Sequence, residues 1–362
     1  MIEVLNGSAN MPLSEAVFFP FDDVSIPFTA GLRLRLVHGR ASPGPNPIVV
    51  SRGDPGEPDD LTVRYYGTVV QIGDQLRMWY QARGSLDPQT ISGRGLRRLC
   101  YAVSSDGLNW EKPALGLVEY NGTTRNNIVD IQDGECVLAT SPIIYDPEDP
   151  DPERRFKMNF ESGRYRAHFA VAYSPDGLRW TESPRNPLGP WLEQSGLIKF
   201  NGCYYVNGQG GSHYGALRKL VTFASYDFEH WTQASALGFR RDPIPPRHMP
   251  TEPNIGEEIH VGAGVWDRGN VIIGVYGMWH GHHAGSVGLM PMDLGFVVSN
   301  DALHYREPVP DFRFIPATGE IGDAIGLIPT LMQGQGMYNL GDQTMYWYES
   351  WRDGDVRLAT WA

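Results

Sequence analysis

One recurring segment limits what this chain can fold into: a short strand that ends in a sharp turn and then an aromatic ring. It reads YAVSSDGLNW at 101–110 and VAYSPDGLRW at 171–180. Looser copies are FASYDFEHW at 223–231 and FVVSNDALHY at 296–305, and VRLATWA at 356–362 keeps only the strand half. Alternating apolar residues make a half-buried strand, and Asp-Gly supplies the reversal. The ring then opens the next strand, where it can wedge against a neighbouring sheet.

Two more segment types precede each copy. An aromatic-rich strand runs LRMWYQ at 76–81, FKMNFE at 156–161, CYYVNG at 203–208, VIIGVYG at 271–277 and TMYWYE at 344–349. Ahead of these come the apolar strands GTVVQIGD at 67–74, PIIYDPED at 142–149, GLIKFNG at 196–202, VGAGVWDRG at 261–269 and GLIPTLMQGQG at 326–336. Strand, turn, strand, loop, strand, turn, strand is the four-stranded blade of a β-propeller, and five tandem copies predict an all-β, five-bladed propeller. The last copy lacks its outermost strand. The segment AVFFPFDDVSI at 16–26 reads as a strand with no other role and is expected to fill that edge. The chain is then one domain, with 1–58 as closing strand and entry segment and 59–362 as blades.

Composition agrees. The 42 Gly and 28 Pro have no short period, so they punctuate turns and do not build a fibrous repeat. A net charge of −12 without a basic run argues against nucleic acid and anionic membranes as partners. Three scattered cysteines, Cys100, Cys136 and Cys203, give neither a disulfide framework nor metal-ligand spacing. The N-terminus shows no signal peptide, and no apolar stretch has membrane-spanning length. The expectation is a soluble protein, cytoplasmic unless a leader has been removed. No phosphate-cradling glycine loop or Gly-x-Ser-x-Gly elbow is present, and no cofactor is expected.

In a propeller, the starts of the inner strands and the loops between second and third strands meet at one rim of the channel. That filter selects the carboxylates Glu193, Glu258, Asp60 and Asp323 as candidates for catalysis. It also selects Tyr65, Arg83, Glu161, Arg164, His213, His260, Trp279, His280, His282, Glu349, Trp351 and Arg352 as candidates for gripping a ligand. Carboxylates, arginines and rings at one channel mouth suit a sugar, and glycoside cleavage needs two carboxyl groups. Glu193 ranks first, because it opens an inner strand beside Trp191. Of Glu257 and Glu258, alternation lets only one point inward. The histidines of WHGHH at 279–283 read as a polar loop over the pocket and not as a metal site.

With the blade pattern, RMWYQAR at 77–83 and SSDGLNWEKPALGL at 104–117 resemble the five-bladed propeller glycosidases of glycoside hydrolase families 32, 43, 62 and 68. The resemblance spans nearly the whole chain. It implies furanosides or pentopyranosides as substrates, cleaved with an Asp of blade one, an Asp of blade two and an acid Glu of blade three. Glu193 in EQSGL holds the third position, while the first falls near Tyr65 and the second on Ser141-Pro142, neither of them acidic. A divergent, exo-acting glycosidase on a small carbohydrate or glycan is the reading that follows. A non-catalytic lectin-like propeller, a transglycosidase or phosphorylase, and a sialidase-like enzyme are the alternatives. The oligomeric state is not legible.

Overall fold

The computed structural model describes residues 2–6, 9–13, 17–42, 47–88, 96–131, 140–166, 168–210, 218–241, 257–280, 291–317, 330–351 and 354–362. They form an all-β, propeller-like molecule of curled sheets. An N-terminal hairpin of β1 (Ile2–Asn6) and β2 (Ala9–Leu13) stands apart from the other sheets. One long sheet runs β3 (Arg40–Ser42), β23 (Asp355–Trp361), β22 (Gln343–Ser350), β21 (Leu331–Leu340), β5 (Thr62–Ile72), β6 (Gln75–Arg83) and β7 (Arg98–Ser104). Within it, β21 and β5 meet in parallel at Gln335 and Thr68.

A second sheet holds β9 (Ile143–Tyr145), β10 (Phe156–Glu161), β11 (Phe169–Ser174) and β12 (Arg179–Glu182), with β8 (Asp130–Ile131) on its outer edge. The third is β13 (Glu193–Phe200), β14 (Cys203–Gly210), β15 (Lys219–Ser225) and β16 (Ala236–Phe239). The fourth is β17 (Glu258–Asp267), β18 (Ile272–Trp279), β19 (Met292–Ser299) and β20 (Arg313–Ile315).

The recurring turn owes its shape to two side chains. In the first copy, the Asp106 carboxylate accepts the N–H groups of Leu108 and Asn109, both at 2.8 Å, and Ser104 Oγ accepts that of Gly107 at 2.9 Å. Asp176, Asp227 and Asp301 repeat the arrangement. The residue after each Asp has positive φ. Two copies use Gly107 and Gly177, and the looser ones put Phe228 and Ala302 there. Burial alone would raise the Asp106 carboxyl, but the bonds from Asn109, Leu108 and Ser104 outweigh it and hold the group at about 2. Replacing Asp106 by Ala should therefore cost about 0.5–2 kcal/mol in urea unfolding at neutral pH, as loss of a helix cap does.

The aromatic second strands lock neighbouring repeats together. Trp79 Nε1 donates to the Gly177 carbonyl at 2.7 Å, and Trp347 Nε1 donates to Gly107 at 3.0 Å. Each ring thus ends on the turn of the next repeat. Glycines let the first strands crowd inward. A Cβ on Gly196 would lie 2.1 Å from the Ala263 oxygen, and one on Gly264 would lie 2.1 Å from the Gly334 oxygen.

The edge of the last repeat is filled from the N-terminal side, but not by the segment expected. Arg40–Ser42 and β4 (Ile48–Val50) pair with β23, whereas 17–39 contains no strand. Pro20 and Pro27 interrupt any ladder there. Asp22 instead closes a turn, accepting from the Val24 and Ser25 N–H groups at 3.2 and 3.3 Å, and Phe21 packs edge-on against Phe296.

Candidate functional site

Four of the five first strands carry a register shift near their starts: between Arg64 and Thr68, Gln194 and Gly196, His260 and Ala263, and Gln333 and Met337. The shift on β13 adds one residue and each of the other three adds two, and the residues inside are re-aimed. On β5 both Tyr65 and Tyr66 fall inside the shift. Tyr65 is fully buried and donates to the Gln335 carbonyl at 2.8 Å, so it is a packing residue and not a ligand-gripping one. Tyr66 takes the outward place in a cluster with Val261, Trp279, Met292 and Met332, with Trp351 packed against it. The rim filter took Tyr65 and passed over Tyr66. Gly67 was the available signal, because a Cβ there would lie 1.8 Å from the Trp79 oxygen, so only glycine permits the shift.

Hydrogen bonds near the starts of the first strands run from one repeat to the next. The Ser141 N–H donates to the Tyr66 carbonyl at 3.1 Å, and Thr140 Oγ1 to Gln194 Oε1 at 2.7 Å. The Val261 N–H meets Gln209 Oε1 at 2.9 Å, and Gln333 Nε2 meets the His260 carbonyl at 2.6 Å. The Tyr65 N–H then reaches Glu349 Oε2 at 2.7 Å. Gln335 bonds Leu197 through both ends of its amide, at 2.7 and 2.9 Å. It also lines a separate cavity of about 240 Å³ with Val70, Tyr145, Val265 and Met337. Carboxylates and histidine lie on one side of this amide layer and apolar side chains on the other.

On the carboxylate side Glu193 opens β13, half-buried, and accepts from Gln209 Nε2. Glu258 is fully buried, with the Arg218 N–H at 3.2 Å from Oε1 and Arg218 Nε at 4.0 Å from Oε2. The Arg218 guanidinium lies over the Trp279 ring at 4.7 Å, and His260 meets that ring edge-on at 4.8 Å. Glu349 is fully buried against Arg64 at 2.7 Å, and Arg64 also donates to the Trp351 carbonyl. Burial raises the Glu349 carboxyl above its usual range, though Arg64 and the Tyr65 N–H oppose this. Burial, then the charges of Glu349 and Glu193, push the Tyr66 phenol far up. Burial and Arg218 hold His260 well below the usual histidine range, so its ring is neutral at pH 7.

Several expected residues lie elsewhere or play other parts. Asp60 caps a surface turn, accepting from Ser85 N and Oγ, both at 2.6 Å, and from Gly56 N at 2.8 Å. Arg164 is mostly exposed and faces Glu182 at 3.8 Å. His280 is buried between two carboxylates, with Nδ1 2.6 Å from Glu257 and Nε2 2.7 Å from Asp293. It is an internal tie and not a lining over the pocket. The Glu pair does diverge as alternation predicts: Glu257 joins Arg241 and His280 while Glu258 joins Arg218. Arg83 and Glu161 end β6 and β10, half-buried. Asp323, His213, His282 and Arg352 lie outside the described residues. Arg218 ends the loop between β14 and β15, a class of position the rim filter does mark, and it was not among the residues selected there.

The His280 tie gives a pH prediction. Burial alone would lower its pKa, but the bonds to Asp293 and Glu257 raise it above 6.5. A raised folded pKa contributes stability that is complete below about pH 6.5 and is lost as pH rises through the folded value. The melting temperature should fall over that alkaline limb, and His280→Gln should flatten it.

One set of atoms stands out. Gln81 Nε2, Ser141 Oγ, both ends of the Asn159 amide, Gln194 Nε2, His260 Nδ1 and Gln333 Oε1 are buried without a hydrogen-bond partner among the described residues. Each such group costs about 1–3 kcal/mol unless something supplies the bond. They come from all five repeats, at or near the ends that carry Glu193, Glu258 and Glu349.

No protein-family model matches the sequence, and no curated protein matches it. Solved structures do share the fold. A glycoside hydrolase candidate from Parabacteroides distasonis aligns at 15% identity with a TM-score of 0.62, over 90% of this chain and 97% of its own. A structure from glycoside hydrolase family 130, described as a family of mannoside phosphorylases containing hydrolases of β-1,2 mannosidic linkages, aligns at 14% identity with a TM-score of 0.60, covering 91% and 96%. Another glycoside hydrolase candidate, from Bacteroides ovatus, gives 15% and 0.58, covering 90% and 96%. The chain is similar to a group of glycoside-hydrolase-like proteins in its propeller-like all-β fold.

Proposed function

We propose that the five repeats are the blades of one closed propeller domain, with Arg40–Ser42 and Ile48–Val50 as the closing strands, and that the protein is an exo-acting glycosidase. The observation that carries this reading is the set of unpartnered buried donors and acceptors beside three carboxylates. A polyhydroxylated ligand satisfies such a mixture, since each sugar hydroxyl both donates and accepts. The rings of Tyr66, Trp279 and Trp351 offer apolar faces for its C–H groups. Glu193, the half-buried member of the three, is the group in reach of the reacting bond. Glu258, Glu349 with Arg64, Trp351 and His260 shape the pocket around it. The substrate proposed is a furanosyl or similar non-reducing-end unit.

Arg97 supports a second reading, phosphorolysis. It lies 6.0 Å over the Tyr66 ring and bonds Gln81 at 3.5 Å, with no carboxylate partner among the described residues. Screening aryl glycosides and oligosaccharides with and without inorganic phosphate separates the two. Release of free sugar without phosphate supports hydrolysis, and strict phosphate dependence replaces it with phosphorolysis. Tight glycan binding with no turnover in either condition would leave a lectin.

A further inference from the structure

We propose that Gln209 is a positioning residue that keeps Glu193 an ionised carboxylate, so that Glu193 accepts a proton and does not donate one, a departure from the acid role that the resemblance implies for its position. The inference deepens the glycosidase reading and rests on it for the catalytic consequence alone.

The geometry fixes which way the Gln209 amide points. The Val261 N–H at 2.9 Å and Arg218 Nη1 at 3.2 Å both converge on one end of it. Neither group can accept a hydrogen bond, so that end is the oxygen. The other end is therefore the NH₂, and it donates to Glu193 Oε2. Gln209 is itself 1% exposed, so water does not compete for the arrangement. A proton on Oε2 would face the amide hydrogen directly. A donor bond to a carboxylate also strengthens as its charge grows, which favours the ionised form. Arg218, behind the amide oxygen, polarises the bond in the same sense.

The backbone is strained to make this bond. Val261 is β-branched yet sits in the left-handed region at φ 66, followed by Gly262 at φ 114. Such a conformation is costly for a β-branched residue and persists only where its surroundings impose it. Its N–H is directed to Gln209, and the next donor along, the Ala263 N–H, goes to Asn207 at 2.8 Å. Among the described residues, the titratable and charged groups around this corner include Arg218 ahead of β15, Glu258 and His260 on β17, Arg64 and Tyr66 on β5, Arg97 ahead of β7 and Glu349 on β22.

In hydrolysis, ionised Glu193 takes a proton from water as the water oxygen bonds to the anomeric carbon. The bond to the leaving oxygen breaks, and that oxygen receives its proton from a second carboxylic acid at the mouth.

The test is a carbon-13 carboxyl titration of Glu193 in the wild type and in Gln209→Met, with Gln209→Glu as second variant. Wild-type Glu193 should titrate below neutrality, and loss of the amide should move its midpoint up by about one pH unit or more. Gln209→Glu should raise it further, because two adjacent carboxylates cannot both ionise easily. The acid limb of kcat/KM should move with the midpoint. A Glu193 that is protonated at neutral pH in the wild type would overturn the proposal. So would an unmoved midpoint in a folded Gln209→Met protein. A midpoint that moves in a protein that cleaves no glycoside would leave the proposal standing and remove the glycosidase reading.

Discussion

Glu193→Gln is expected to lower turnover of any glycoside the protein cleaves by about 10²–10⁴-fold, with little change in melting temperature. The loss corresponds to about 3–5 kcal/mol of transition-state stabilisation, far more than a surface carboxylate contributes to anything. Folding should survive because the new amide can present its oxygen to Gln209 Nε2 and keep that bond. What it cannot do is take a proton. Glu258→Gln tests the alternative. That side chain is fully buried beside Arg218, so its replacement should lower stability as well as turnover. Burst-free steady-state rates and thermal melts of the two variants distinguish a reacting group from a supporting one. Full turnover by Glu193→Gln would remove Glu193 from the chemistry.

The sequence made the repeat legible because each level of it has a local cause. Alternation sets the strands, Ser-x-Asp sets the turn, and Trp79 and Trp347 end on the turns of the next repeat. Glu193 and Glu258 follow from that pattern, since both open first strands. The failures share another cause. The register shift at Arg64–Thr68 depends on the close approach of Gly67 to the Trp79 oxygen on the paired strand, so taking Tyr65 as an inner-strand start could not show that Tyr66 joins the cluster with Trp279. His280 was assigned to a surface loop because nothing in WHGHH reveals Asp293, thirteen residues on, as its partner. The hydrophobicity of 16–26 points to a strand, but Pro20 within it and Pro27 just after it break the ladder, and 40–42 and 48–50 pair with β23 instead. Local chemistry was readable, and long-range partners were not.

Gly264→Ala is expected to cost about 3 kcal/mol or more, a large effect for one methyl group. Its backbone does not lie in the left-handed region, so the expected cost is steric and not conformational. The added Cβ would stand 2.1 Å from the Gly334 oxygen and 2.9 Å from its carbonyl carbon, and neither atom belongs to a side chain that could swing away. Gly202→Ala is the matched control. It has open space and a φ of 77, so it should lose only about 1 kcal/mol of conformational preference. The clash also bears on the site. Gly334 lies between Gln333 and Gln335, which bond the His260 carbonyl at 2.6 Å and the Leu197 backbone at 2.7 and 2.9 Å. Pushing β21 outward to admit the methyl would loosen those bonds and spread the mouth. Gly264→Ala should therefore weaken glycan affinity in whatever fraction still folds, whereas Gly202→Ala should not. Gly196→Ala, whose Cβ would meet the Ala263 oxygen at 2.1 Å, should behave in the same way at the next strand contact. If both variants melt with the wild type, the first strands do not approach this closely, and the glycine contacts are the wrong account of how they pack.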